Sequence, residues 1–126
     1  MIVATPVDGL IRTLRALRVP DDAAGMVRAV RACLESLHGV CTPEAPVDDR
    51  GDGKPGRVDL VVTLPGLPLL FIECDRLNPR EKSIRKLKGL PGTRLILLRG
   101  VERDDVVDGV RIVGVAIEGG EGARRS

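Results

Sequence analysis

The residues with chemical potential lie together in the middle of the chain. Glu73, Cys74 and Asp75 close a mostly apolar run that begins at Leu67, and Asp59 sits in the strand-like run just before it. Two carboxylates at positions i and i+2 of a strand point to the same face. A third on the neighbouring strand would complete a three-acid cluster. Charged groups at the end of a buried strand are costly unless they pair or bind a metal, so these acids either solvate a strand end or form a site. Directly after them, Arg76, Arg80, Lys82, Arg85, Lys86 and Lys88 are opposed only by Glu81. A basic stripe of this kind suits an anionic partner such as a phosphate backbone, although charge runs commonly serve as solvated helix faces.

The elements that must position these groups are legible from apolar spacing and turn residues. Arg57 to Leu64 and Leu67 to Cys74 read as two strands joined at Pro65-Gly66. Both are apolar on both faces, which predicts a central hairpin covered on each side. The register decides the chemistry. If Leu64 pairs with Pro68, Asp59 lies opposite Glu73 on one face with Cβ atoms about 5 Å apart. If Leu64 pairs with Leu67, Asp59 faces Ile72 and the cluster fails. A helix follows, with Asn78 as N-cap, Pro79 at its first position and Glu81 completing a capping box. Ile84, Leu87 and Leu90 form its buried stripe; Ser83 and Lys86 border it, and Gly89 and Pro91-Gly92 end it.

Upstream, two amphipathic helices are expected. Val7, Leu10, Ile11, Leu14 and Leu17 line the first, which Pro20 ends, and Met26, Val27, Val30, Cys33, Leu34 and Leu37 line the second. Asp21 or Asp22 marks the second helix's start and Gly39 its stop. Residues 39–57 are irregular; Val40-Cys41-Thr42 or Ala45-Pro46-Val47 offers at most a short edge strand because of the prolines. Thr93 to Leu98 and Val110 to Ile117 are further buried strands. The arrangement predicts an α/β domain over residues 1–118, a small mixed central sheet flanked by helices, with a flexible tail over 119–126.

Composition agrees with an ordinary globular domain: 126 residues, 43% hydrophobic and 30% charged, with no apolar run near the roughly 18 residues that span a bilayer. No basic leader segment is evident at the start, and three cysteines without a CxxC spacing argue against a disulfide framework, so a cytoplasmic protein away from membranes is expected. Cys33, His38 and Cys41 match no standard zinc spacing. Asp48, Asp52, Gly53 and Asp59 fall on an EF-hand template, but Arg50 and Pro55 intrude and a strand follows instead of a helix. Phe71 is the lone aromatic residue, which excludes recognition by base stacking and leaves Arg and Lys for any nucleic-acid contact.

The element order, with Asp59 in Arg57-Val58-Asp59-Leu60-Val61 and Glu73 in Phe71-Ile72-Glu73-Cys74-Asp75, resembles the PD-(D/E)XK nuclease superfamily over roughly residues 22–100. The resemblance implies a restriction-endonuclease-like αβββαβ core, here with an extra N-terminal helix, and a metal-dependent endonuclease hydrolysing DNA phosphodiester bonds. It implies Asp59, Glu73 and Asp75 as ligands of Mg²⁺ or Mn²⁺, with Arg76, Arg80, Lys82 and Arg85 against the DNA backbone, and a homodimer at this size. The lysine of the E-x-K motif is Asp75 here. In some members that lysine lies on the following helix, which makes Lys86 the substitute and the fourth catalytic candidate, with Lys82 second. Glu35, the counterpart of a first-helix Glu in some members, points away from the apolar face. Without a working lysine, the same domain would bind nucleic acid or a protein partner and not cleave.

Overall fold

In a computed structural model, which describes residues 6–119, the chain is an α/β domain with a seven-stranded mixed sheet and three helices. In chain order the elements are α1 (Pro6–Arg15), β1 (Arg18–Val19), α2 (Ala23–Ser36), β2 (Val40–Val47), β3 (Gly56–Thr63), β4 (Leu70–Arg76), α3 (Glu81–Lys88), β5 (Thr93–Arg99), β6 (Asp104–Val107) and β7 (Val110–Ile117). The expected tail lies, apart from Gly119, outside the described residues. None of the described helices is long and apolar enough to cross a membrane.

The strands run in the order β1-β7-β5-β4-β3-β2, with β6 paired to β7 away from that path. β2, β3 and β4 form an antiparallel meander, while β4, β5 and β7 are parallel. The crossover from β4 to β5 is made by α3, as parallel neighbours require. Helices cover both faces. Leu10, Ile11 and Leu14 of α1 and Met26, Val30 and Leu34 of α2 pack with Leu60, Val62, Leu70 and Ile72 on one face. Leu87 of α3 packs with Phe71, Ile96, Leu98 and Ile112 on the other, flanked by Ile84 and Leu90. β4 is therefore central, and six of its seven residues are buried.

Several local expectations need correction. The two weak strand segments are one eight-residue strand, β2, which remains at the sheet edge where Pro43 and Pro46 need not donate to an outer neighbour. β1 and β6 carried no hydrophobic pattern to announce them. β1 is two residues long, and β6 is exposed except for Val107, with Asp104 and Asp105 paired to Arg111 and Arg103. The N-cap of α2 is Asp22, whose Oδ1 accepts the Gly25 N–H at 2.6 Å. Leu37, expected on the apolar face of α2, is that helix's C-cap and is exposed. The N-cap of α3 is Arg80, not Asn78, and its side chain makes no capping bond. The Asn78 N–H instead donates to the Arg76 carbonyl in a tight turn at Leu77, where φ is 62°.

Candidate functional site

The site sits where β3 and β4 meet α3. Leu60 pairs with Ile72, Val61 with Phe71 and Val62 with Leu70, the register that sets Asp59 against Glu73. The regular ladder stops at Leu60, one residue short of Asp59. Beyond it each acid bonds to the other strand's backbone: Glu73 Oε2 accepts the Asp59 N–H at 2.8 Å, and Asp59 Oδ2 accepts the Cys74 N–H at 2.8 Å. Charged acceptors make such bonds stronger than the ladder bonds they replace.

This exchange alters the expected single face. Val58 and Val61 pack on the α3 side, while Leu60 and Val62 pack towards α1 and α2, so the two-residue alternation of β3 breaks at Asp59. The partner strand breaks at the same level. β2 pairs with β3 at Pro43–Leu60 and Ala45–Val58 but not between Glu44 and Asp59, and Glu44 has φ 50°. Asp59 lines a cavity of about 440 Å³ on the α2 side with Ala23, Val27, Glu44 and Cys74. Glu73 instead meets α3.

Glu73 has no solvent exposure. Its Oε1 accepts from Lys86 Nζ at 2.5 Å, and the same ammonium donates to the Arg57 carbonyl at 2.7 Å. The amphipathic spacing of α3 brings this about: Leu87 anchors the helix in the core, and Lys86 beside it reaches inward along the edge of the stripe. Burial pushes the Glu73 carboxyl up from its ordinary 4.5 to about 7; the Lys86 hydrogen bond pulls it down and the nearby Asp59 charge pushes it up. The Cys74 thiol is raised well above its ordinary value, first by burial and then by the charges of Asp59, Glu73 and Asp75.

Asp75 is buried, and both its oxygens are engaged by one residue. Oδ1 accepts from Arg80 Nε at 2.9 Å and Oδ2 from the Arg80 backbone N–H at 3.1 Å. It is thus not brought into one cluster with Asp59 and Glu73. Among the described residues, no group of three or more His, Cys, Asp or Glu side chains is arranged to hold a metal.

The basic residues form a cleft of about 490 Å³ beside Lys86. Arg80, Lys82, Arg85 and Lys86 make one wall; Arg50 and Arg57 of the β2–β3 connection and β3 make the other, with Asp52 the acid among them. That connection folds on itself through Asp49 Oδ1, which accepts the N–H groups of Gly51 and Gly53 at 2.7 and 2.8 Å. Gly51, at φ 110°, lies against Arg85, where an added Cβ would come within 2.9 Å of the Arg85 Cβ. Only glycine tolerates that backbone and that approach together. Arg76, expected with the others, does not line the cleft; it pairs at 3.1 Å with Asp21, which also binds the largely buried Arg99 at 3.0 Å. Glu35 is exposed and pairs with Arg31, away from the site.

Sequence reasoning missed Arg50 and Arg57 as members of the cleft and missed Asp75 as the partner of Arg80. Arg57 carried a signal, since it lies two residues before Asp59 at the start of the same strand. Arg50 carried none beyond its place in a glycine-rich loop, because a loop's direction is set by tertiary contacts. No family model matches the chain, and no curated protein or solved structure matches it.

Proposed function

We propose that this domain binds nucleic acid, DNA in the first instance, in the basic cleft and hydrolyses its phosphodiester bonds with the help of a divalent cation. The observation that carries the reading is the placement of Lys86 Nζ on Glu73 at the lip of that cleft, with Asp59 engaged across the same strand pair. The order α2-β2-β3-β4-α3-β5, with β4 parallel to β5, supports a restriction-endonuclease-like αβββαβ core, with α1 as the extra N-terminal helix.

The donor set fits Mg²⁺ or Mn²⁺. Mg²⁺ is commonly held by one or two carboxylates, with waters and substrate phosphates completing its shell. Asp59 lines the cavity on the α2 side and its carboxylate keeps lone pairs for such an ion, while Glu73, unexposed and turned to Lys86, would join it only across the strand pair. Such an ion, when bound, polarises a phosphoryl oxygen and lowers the pKa of its water. The chain's own contribution is positional. Two of the three Lys86 N–H donors are used by Glu73 and Arg57 among the described residues, which leaves the third for a phosphate oxygen or a water. Arg80, Lys82 and Arg85, with Arg50 and Arg57 opposite, grip the backbone without reading bases.

A second reading is binding without cleavage, to nucleic acid or to a protein. The engagement of Asp75 by Arg80 favours it, because it leaves two acids and not three. Incubating the protein with single- and double-stranded DNA in Mg²⁺, Mn²⁺ or EDTA separates the two. Cation-dependent cleavage supports the first reading. Salt-sensitive binding with intact DNA supports the second, and the absence of both removes nucleic acid from the account.

A further inference from the structure

We propose that Asp75 is a positioning residue that fastens the start of α3 to the end of β4 and so holds Lys86 against Glu73. This rests on the reading of the Asp59–Glu73–Lys86 site given above. α3 has only eight residues, and isolated helices shorter than about 12 residues are marginal in water. Its N-cap, Arg80, has no side-chain capping bond of its own. Asp75 supplies from outside the helix what the returning half of a capping box supplies from within, a carboxylate oxygen on the N-cap N–H. Its charge also lies at the positive end of the helix. Its other oxygen binds the Arg80 guanidinium, which fixes the approach of the segment from the side.

Asp75 is two residues beyond Glu73 on β4, and Lys86 lies six residues beyond Arg80 along α3. The strand carrying the acid and the helix carrying the base are therefore tied at one end by Asp75–Arg80 and at the other by Glu73–Lys86. The acid that stands where the sequence pattern called for a lysine thus holds in place the helix that supplies one.

The test is the accessibility of Lys86, read by acetylation with an activated ester and mass spectrometry of the whole protein. Lys82 and Lys88, both exposed, serve as internal controls. Asp75→Ala is expected to raise the Lys86 labelling rate roughly fivefold to thirtyfold, the opening that loss of a helix cap allows, with Lys82 and Lys88 unchanged. Asp75→Asn restores most of the protection, because its amide oxygen still accepts the Arg80 N–H. Should Asp75→Ala not fold, Arg80→Pro deletes the N–H together with the guanidinium at a residue whose φ of −73° suits proline, and Arg80→Ala removes the guanidinium alone. Arg80→Pro is expected to expose Lys86 more than Arg80→Ala does, because the latter keeps the N–H bond to Asp75. Unchanged Lys86 labelling in folded Asp75→Ala or Arg80→Pro overturns the proposal. Where the wild type cleaves DNA, Asp75→Ala lowers kcat with KM nearly unchanged, and Asp75→Asn recovers it. A fall in kcat with Lys86 still protected would make Asp75 a direct participant and likewise overturn the proposal. Failure of the wild type to cleave any DNA would sink the hydrolytic reading, while the labelling still decides the role of Asp75.

Discussion

Glu73 couples the stability of the fold to pH in a direction opposite to that of an ordinary paired carboxylate. Its folded pKa of about 7 stands above the 4.5 it has when exposed, because burial outweighs the Lys86 hydrogen bond. The folded chain thus binds the proton more tightly than the unfolded chain. The contribution to stability is fully present below about 4.5 and is lost as the pH rises through about 7. At 1.36 kcal/mol per pH unit, the gap corresponds to about 3 kcal/mol, most of which falls between pH 5 and pH 8. For a domain of this size that is about 10 °C in Tm. Glu73→Gln removes the titration while keeping an acceptor for the Asp59 N–H. Urea unfolding of the metal-free wild type and Glu73→Gln at pH 5 and pH 8 isolates the effect from all other groups. The wild type should lose about 2–3 kcal/mol relative to the variant over that interval. A difference between the two proteins that stays constant with pH, or one that moves in the wild type's favour as pH rises, would refute the reasoning.

Three further outcomes follow from the same contacts. Lys86→Met leaves Glu73 buried without its cation, and denaturant unfolding should show a loss of about 1–3 kcal/mol at pH 8 and less at pH 5, where Glu73 is already neutral. If DNA binds the cleft, Lys82→Ala with Arg85→Ala should weaken it for all sequences alike and reduce the slope of log K against log salt by about 2, read by fluorescence anisotropy. Gly114→Ala should cost more than about 3 kcal/mol or abolish folding, because its Cβ would lie 1.9 Å from the Val101 carbonyl oxygen; an unchanged thermal midpoint would show that this contact gives way.

The parts of the fold that the sequence revealed are those where burial writes a period into the chain. Leu10, Ile11 and Leu14, then Met26, Val30 and Leu34, mark two helices by spacing alone, and the apolar runs around Val62 and Ile72 mark two central strands. The inward reach of Lys86 was legible for the same reason, since it borders the stripe of Ile84, Leu87 and Leu90 on the side of Ser83, which is buried. What escaped was written in tertiary contacts. β6 buries little, so no pattern announces it. The break in alternation at Asp59 arises from an exchange of side-chain bonds with another strand, which no local window contains. Asn78-Pro79 with Glu81 read as a capping box, yet the cap is made by Asp75, because a buried carboxylate already stands where the N–H of Arg80 emerges. Arg76 belonged to the basic stripe by sequence, and Asp21 from a segment 55 residues earlier takes it away.

Whether Asp59 and Glu73 with Lys86 form a hydrolytic site is decided by DNA cleavage in Mg²⁺ or Mn²⁺ with the wild type and with Asp59→Ala and Glu73→Ala side by side. Cation-dependent cleavage by the wild type, reduced by roughly a hundredfold or more in either variant, is the expected result. Cleavage of equal rate in all three proteins, or none in the wild type, would contradict it.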